Sequence, residues 1–223
     1  MSGAQAVSGS DPYKLGRSTS TRQHNAGHVG AEQAGHGQAS KRILTGYGFW
    51  IFLLSDIIMF SAFFAAYAVL SSATAGGPNG PQLFHRDRVL IETACLLTSS
   101  FTCGLLSLAF ERCDRTWTYL WAVATFALGV AFLTIEIAEF AAMIEAGAGP
   151  WRSAFLSAFF ALVGAHGAHV TLGLLWLAVM MAQVASLGFR PMVMRRLVSF
   201  SLFWHALDIV WIGVFTIVYL GAH

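Results

Sequence analysis

The chain has 223 residues, of which 56% are apolar and only 11% charged, and its mean hydropathy is +0.63. Soluble proteins carry about 25% charged residues, so a water-soluble domain is excluded and a chain dissolved in lipid is expected. The formal net charge of +2, with the basic residues scattered rather than clustered, excludes a nucleic-acid partner.

Residues 1–45 are rich in Gly, Ser, Ala and His and hold Lys14, Arg17, Arg22, Lys41 and Arg42. Such a segment buries too little apolar surface to offset its ordering entropy, so a disordered cytoplasmic tail is expected. It has no apolar core of the kind a cleavable signal peptide needs. His24, His28 and His36 are a compositional hint of loose metal binding and no more.

Residues 46–223 read as a transmembrane domain. Five continuous apolar runs, at about 47–70, 89–110, 117–143, 154–186 and 197–220, each approach or exceed the roughly 20 residues that cross a bilayer. The fourth is longer than a bilayer needs, which predicts a tilted or projecting helix. Continuous rather than alternating patterning disfavours a β-barrel. The expected fold is therefore an all-α membrane protein, a bundle of five transmembrane helices. Breaks fall at Gly76-Gly77-Pro78-Asn79-Gly80-Pro81, at Gly147-Ala148-Gly149-Pro150, and at Gly188, Arg190 and Pro191. No internal repeat is visible, and five spans do not divide into equal halves. Cys95 and Cys103 stand about 12 Å apart along one predicted helix, too far for a disulfide. With Cys113 in a short loop, the cysteines read as packing residues.

Ten of the 13 basic residues fall on one side of the membrane: the five in the tail, Arg112 and Arg115, and Arg190, Arg195 and Arg196. Arg86, Arg88 and Arg152 fall on the other. The excess predicts a cytoplasmic N-terminus and a periplasmic C-terminus.

The informative residues are those that are expensive in lipid: Asp56, Glu92, Glu136, Glu139, His166, His169, His205 and Asp208. A carboxylate at a helix centre costs about 2.5–3.5 kcal/mol on insertion scales, so these groups must face protein, pair with one another or carry a proton. Glu136/Glu139, His166/His169 and His205/Asp208 are each three apart, on one helix face. Matching depths predict an internal acid–histidine cluster joining the first helix to the fourth and fifth, with Asp56 meeting His166 or His169. Interhelical hydrogen bonding is the plainer role for such a cluster, proton handling the next, and metal ligation the last. The Glu-x-x-His motifs of a di-iron bundle are missing, and two histidines on one helix cannot bracket a haem. Gly164/Ala168 and Gly167/Thr171 form small-xxx-small pairs beside the histidines, which predict a close-packed seam. Phe200, Phe203, Trp204, Trp211 and Phe215 of the fifth helix offer bulky partners for it.

Several of these stretches carry a family likeness. Gly48-Phe49-Trp50 with Leu54-Ser55-Asp56, Gly149-Pro150 with Ser153-Ala154-Phe155, His166-Gly167-Ala168-His169-Val170, and Trp204-His205-Ala206-Leu207-Asp208-Ile209-Val210-Trp211 resemble subunit III of the haem–copper terminal oxidases. The likeness covers about residues 43–221. The five-span form and the Thr74-Ala75-Gly76-Gly77-Pro78 loop are most similar to subunit III of the cytochrome o ubiquinol oxidase. This resemblance implies a non-catalytic supporting subunit of a proton-pumping respiratory oxidase in a bacterial inner membrane, carrying electrons from quinol to oxygen. Such a subunit stabilises the catalytic subunit and tunes proton uptake. It implies haem and copper in subunit I, with no cofactor, metal or catalytic residue in this chain. The partners implied are subunit I, the other oxidase subunits and membrane lipids. Seven-span relatives hold lipid in a cleft beside their first two helices; this chain lacks that pair, so individual lipid contacts are what carry over. Asp56 stands where the family typically has Glu, and Glu139-Phe140 matches its acid–aromatic pair. Glu136 occupies a position where relatives often have a neutral polar residue. The alternatives are subunit III of a cytochrome c oxidase and a stand-alone proton-coupled carrier, which the odd span count and absent repeat disfavour.

Overall fold

The computed structural model describes residues 46–74 and 86–221. The tail expected over 1–45 and the Gly76–Pro81 break lie outside the described residues. Five helices follow one another: α1 (Gly46–Leu70), α2 (Arg86–Glu111), α3 (Arg115–Glu145), α4 (Ala154–Leu187) and α5 (Pro191–Val214), the last continued by a π-helical turn, Phe215–Leu220. All five are long and apolar enough to cross a membrane, and no strand occurs among the described residues. The chain divides into two compact units, Met1–Ile51 and Phe52–His223; the helix packing belongs to the second.

The helix ends obey local chemistry. The Asp114 side chain caps α3 by accepting from the Trp117 amide, and Ser153 caps α4 by accepting from the Leu156 amide. Cys113, at φ 54°, makes the left-handed turn between α2 and α3, and Gly188, at φ 67°, ends α4. α5 begins six residues before the expected 197, at Pro191. Proline has φ already set for a helix and lacks the N–H that a first turn leaves unpaired, so it opens this helix instead of closing the loop. Arg195 and Arg196 therefore ride on the first turns of α5, where Arg196 donates to the Gln183 side chain of α4 at 2.8 Å.

α2 packs against α3 and α5, and α4 against α3 and α5. α1 buries a narrow stripe of Leu53, Phe60 and Tyr67, one residue in seven. Phe60 meets His169 and His166, Tyr67 meets Phe155, Phe52 meets Phe203, and Phe64 lies over Gly213. Only 11% of its apolar window is buried, against 28% to 39% in the other spans, so α1 is held on α4 and α5 by little more than aromatic contact.

The tightest packing surrounds Trp204. A Cβ added at Gly173 of α4 would stand 2.8 Å from its indole, and one added at Gly129 of α3 would stand 3.1 Å away. Two glycines from two helices thus make the notch that a buried tryptophan of a third fills. Lipid supplies no hydrophobic force between helices, so close approach of this kind is what holds a bundle together.

Candidate functional site

The eight ionisable residues do not form one cluster. They are distributed over three groups and one isolated ring.

The first group joins α1 to α4. Nδ1 of His169 lies 2.7 Å from the Ala165 carbonyl oxygen. A carbonyl only accepts, so that nitrogen carries the proton. Nε2 is thereby left facing Asp56, 3.9 Å from Oδ1. With the ring neutral, Nε2 presents a lone pair, so attraction requires a proton on either Nε2 or the carboxyl. The separation exceeds a hydrogen bond; Asp is one methylene shorter than the Glu expected from the family pattern. Both side chains are partly open, at 19% for Asp56 and 18% for His169. Asp56 also lines a shallow groove with Leu53 and Phe60 of α1 and Phe203, Ala206 and Leu207 of α5.

The second group joins α2 to α5. Ser100 Oγ lies 2.6 Å from His205 Nδ1, and Asp208 is within electrostatic reach of both. On the same interface the Trp204 indole N–H donates to Ser99 Oγ and the Trp211 N–H to Thr93 Oγ1, each at 3.1 Å. Ser99 and Thr93 in turn donate to the Leu96 and Val89 carbonyls of their own helix. Each hydroxyl both gives and receives, leaving no polar atom of this ladder exposed to hydrocarbon. Thr102 and Thr125 tie α2 to α3 at 2.8 Å. The sequence reading missed this ladder. Its signal was the two-turn spacing of Trp204 and Trp211, seven residues apart, answered in antiparallel order by Ser99 and Thr93, six apart.

The third group is acidic. Glu92 of α2 and Glu136 and Glu139 of α3 are all buried and act on one another's charge. The Tyr219 phenol, carried by the π turn, sits in the field of all three and of Tyr67. Arg88, exposed one turn before Glu92, acts on that residue's charge.

His166 joins none of these; of the two α4 histidines expected to meet Asp56, it is His169 that faces it. It is fully buried between Trp211, Phe132 and Phe60, at ring-centroid distances of 5.1, 5.8 and 6.4 Å, and neither ring nitrogen has a hydrogen-bond partner. Phe60 makes edge-to-face contacts with both histidines, at 6.4 Å for His166 and 5.3 Å for His169.

The small residues of α4 are likewise used differently from the expected seam. Gly164 makes an ordinary contact with Phe140, 3.7 Å from where a Cβ would be. Gly167 receives the Glu136 carboxyl, 2.8 and 3.0 Å from that position. Ala168 and Thr171 face outward, and the Thr171 hydroxyl donates to Gly167 within its own helix. The close approach to α5 is made by Gly173 instead. Among the described residues, no set of three or more His, Cys, Asp or Glu is arranged to hold a metal ion.

Comparison with known proteins matches residues 24–223 to the family model described as cytochrome c oxidase subunit III. The chain is 51% identical to the cytochrome bo(3) ubiquinol oxidase subunit 3 of Pseudomonas aeruginosa, over 79% of this chain and 84% of that protein. It is 49% identical to the protein of the same name in Pseudomonas putida, over 79% and 86%. A third relative of that name, from Buchnera aphidicola subsp. Baizongia pistaciae, is 41% identical over 81% and 92%. The match over nearly the whole chain, on a five-helix bundle whose helices are long and apolar enough to span a membrane, places this chain in the cytochrome c oxidase subunit III family.

Proposed function

We propose that this chain is the non-catalytic third subunit of a proton-pumping ubiquinol oxidase in a bacterial inner membrane, where it braces the catalytic subunit and tunes proton uptake. The observation that carries this reading is the 51% identity, over 84% of its length, to a protein named as a ubiquinol oxidase subunit 3. The architecture supports it. Several polar side chains of the spans link helix to helix: Ser100 to His205, Trp204 to Ser99 and Trp211 to Thr93, with Asp56 facing His169. They are spent on fixing the bundle's shape, as a supporting subunit needs. In this reading haem, copper and the oxygen chemistry reside in subunit I, and this chain offers it an apolar outer face. The N-terminus faces the cytoplasm: Arg112, Arg115, Arg190, Arg195 and Arg196 crowd the bundle end where α3 and α5 begin, against Arg86, Arg88 and Arg152 at the other.

Gentle solubilisation tests this directly. The tagged chain is expected to co-purify with a haem-containing assembly that oxidises quinol, and to show no haem absorption once stripped from it. Recovery of the chain alone from mild detergent, or oxidation of reduced cytochrome c in place of quinol, would overturn the assignment. Asp56→Asn should leave quinol oxidation largely intact while loosening retention of the subunit; complete loss of turnover with normal assembly contradicts a supporting role.

A further inference from the structure

At one end of the bundle α2 begins while α1, α3 and the π turn finish, and five titratable side chains converge there. Glu92 is six residues inside α2, Glu139 six before the end of α3 and Glu136 nine before it. At 1.5 Å per residue these depths are about 9, 9 and 14 Å. Tyr67 and Tyr219 lie within the last turn of their own elements. Four elements therefore deliver ionisable oxygens to the same end of the bundle.

Three features show that this grouping is built rather than incidental. Gly167 leaves room on α4 for the Glu136 carboxyl, where any Cβ would collide with it. The π turn adds a residue to the winding, and both Val218 and Tyr219 are buried on it. A continuous α-helix would carry Tyr219 to a different face, and π turns recur at functional positions. Finally, Glu92 Oε1 and Glu136 Oε2 have no hydrogen-bond partner, in residues only 1% and 4% exposed. Buried polar atoms of this kind call for an explanation.

The charges that face the group decide which ligand fits. α2 contributes Arg88, exposed and acting on Glu92. α1 and the π turn contribute phenols, and α4 contributes His166, whose electrostatic neighbour is His169 rather than an acid. Three carboxylates buried together repel one another and forfeit their hydration. A proton placed between two of them turns repulsion into a hydrogen bond, and no metal geometry is offered among the described residues.

We infer that Glu92, Glu136 and Glu139 form one proton-binding site, which shares exchangeable protons between its carboxyls and fills from the membrane face at which α2 begins. Binding converts carboxylate and a proton from water into carboxylic acid, with no other reactant. The site is separate from the Asp56–His169 pair and holds whichever oxidase the chain serves.

Infrared spectroscopy of the purified complex tests it through the carbonyl stretch of protonated carboxyls. Wild type should show a band that moves on exchange into D2O. Glu136→Gln should remove one carboxyl's intensity and shift the remainder, and Glu92→Gln should do the same, because the protons are shared. Gly104→Ala, whose Cβ meets nothing within 4 Å, should leave the band unchanged. If Glu136→Gln fails to assemble, Glu92→Gln and Gly167→Ala, which presses on the Glu136 carboxyl, carry the test. A band insensitive to D2O, or one identical in wild type and these variants, overturns the inference. The haem content of the same preparations reads the oxidase assignment separately.

Discussion

Gly173→Ala should be among the most damaging single-methyl additions to this chain, and the structure says by how much. The new Cβ would lie 2.8 Å from Cζ3 and 3.1 Å from Cε3 of Trp204, and 3.3 Å from Cε1 of Phe203. Carbon atoms rest at about 3.5–4.0 Å, so the indole must retreat by roughly 0.7 Å. Its freedom to move is limited, because its N–H is committed to Ser99 and it is only 2% exposed. Overpacking of this kind costs about 1–3 kcal/mol, and loss of the indole hydrogen bond adds about 0.6 kcal/mol. The backbone gain of Ala over Gly in a helix returns about 0.5–1 kcal/mol, leaving a net loss of about 1–3 kcal/mol. The assay is thermal loss of the subunit from the purified complex, compared with Gly104→Ala, where the helix gain stands alone. Adding Trp204→Phe to Gly173→Ala should restore part of the loss by vacating the notch. Equal behaviour of Gly173→Ala and Gly104→Ala, or no recovery in the double variant, would refute the wedge.

Ser99→Ala should lower stability by about 0.6–2 kcal/mol, and a double-mutant cycle with Trp204→Phe should show coupling, since both changes break one bond. Asp56→Glu extends the carboxyl by about 1.3 Å, enough to bring it from 3.9 Å to hydrogen-bond distance of His169 Nε2; the expected outcome is slower protease cleavage of α1 in detergent. Asp114→Ala removes a long, exposed cap bond of 3.4 Å. It should cost about 0.5 kcal/mol, at the low end for caps, visible as faster amide exchange confined to the first turn of α3.

The spans were legible because lipid imposes a length and a composition that sequence displays openly. Where α5 starts was not, because Pro191 serves equally to end a loop or to open a helix, and only the register of the chain behind it decides. Asp56 and its need for a histidine were legible from depth. Which histidine answers it was not, since residues three apart share a helix face and the choice between His166 and His169 depends on how α1 lies against α4. Glu92, Glu136 and Glu139 each stood out singly as costly. Their assembly apart from the histidines depends on α3 facing α2 at that level, a fact of helix order in space. The glycines teach the same lesson: Gly129 and Gly173 matter because of one indole between them, and no spacing within α4 announces it.

The thin attachment of α1 has a consequence for how the protein is made. Synthesis delivers this helix to the bilayer before the other four, with Asp56 aboard, while His169 emerges more than a hundred residues later. Until then the acid has no imidazole to face. A lone Asp at a helix centre opposes insertion by about 2.5–3.5 kcal/mol, and it is the mean hydropathy of 2.0 in the surrounding window that must carry it across. The many outward-facing Ile, Leu and Phe residues of α1 thus serve the nascent chain as well as the finished one, and polar substitutions among them should impair membrane entry before they disturb any contact of the folded bundle.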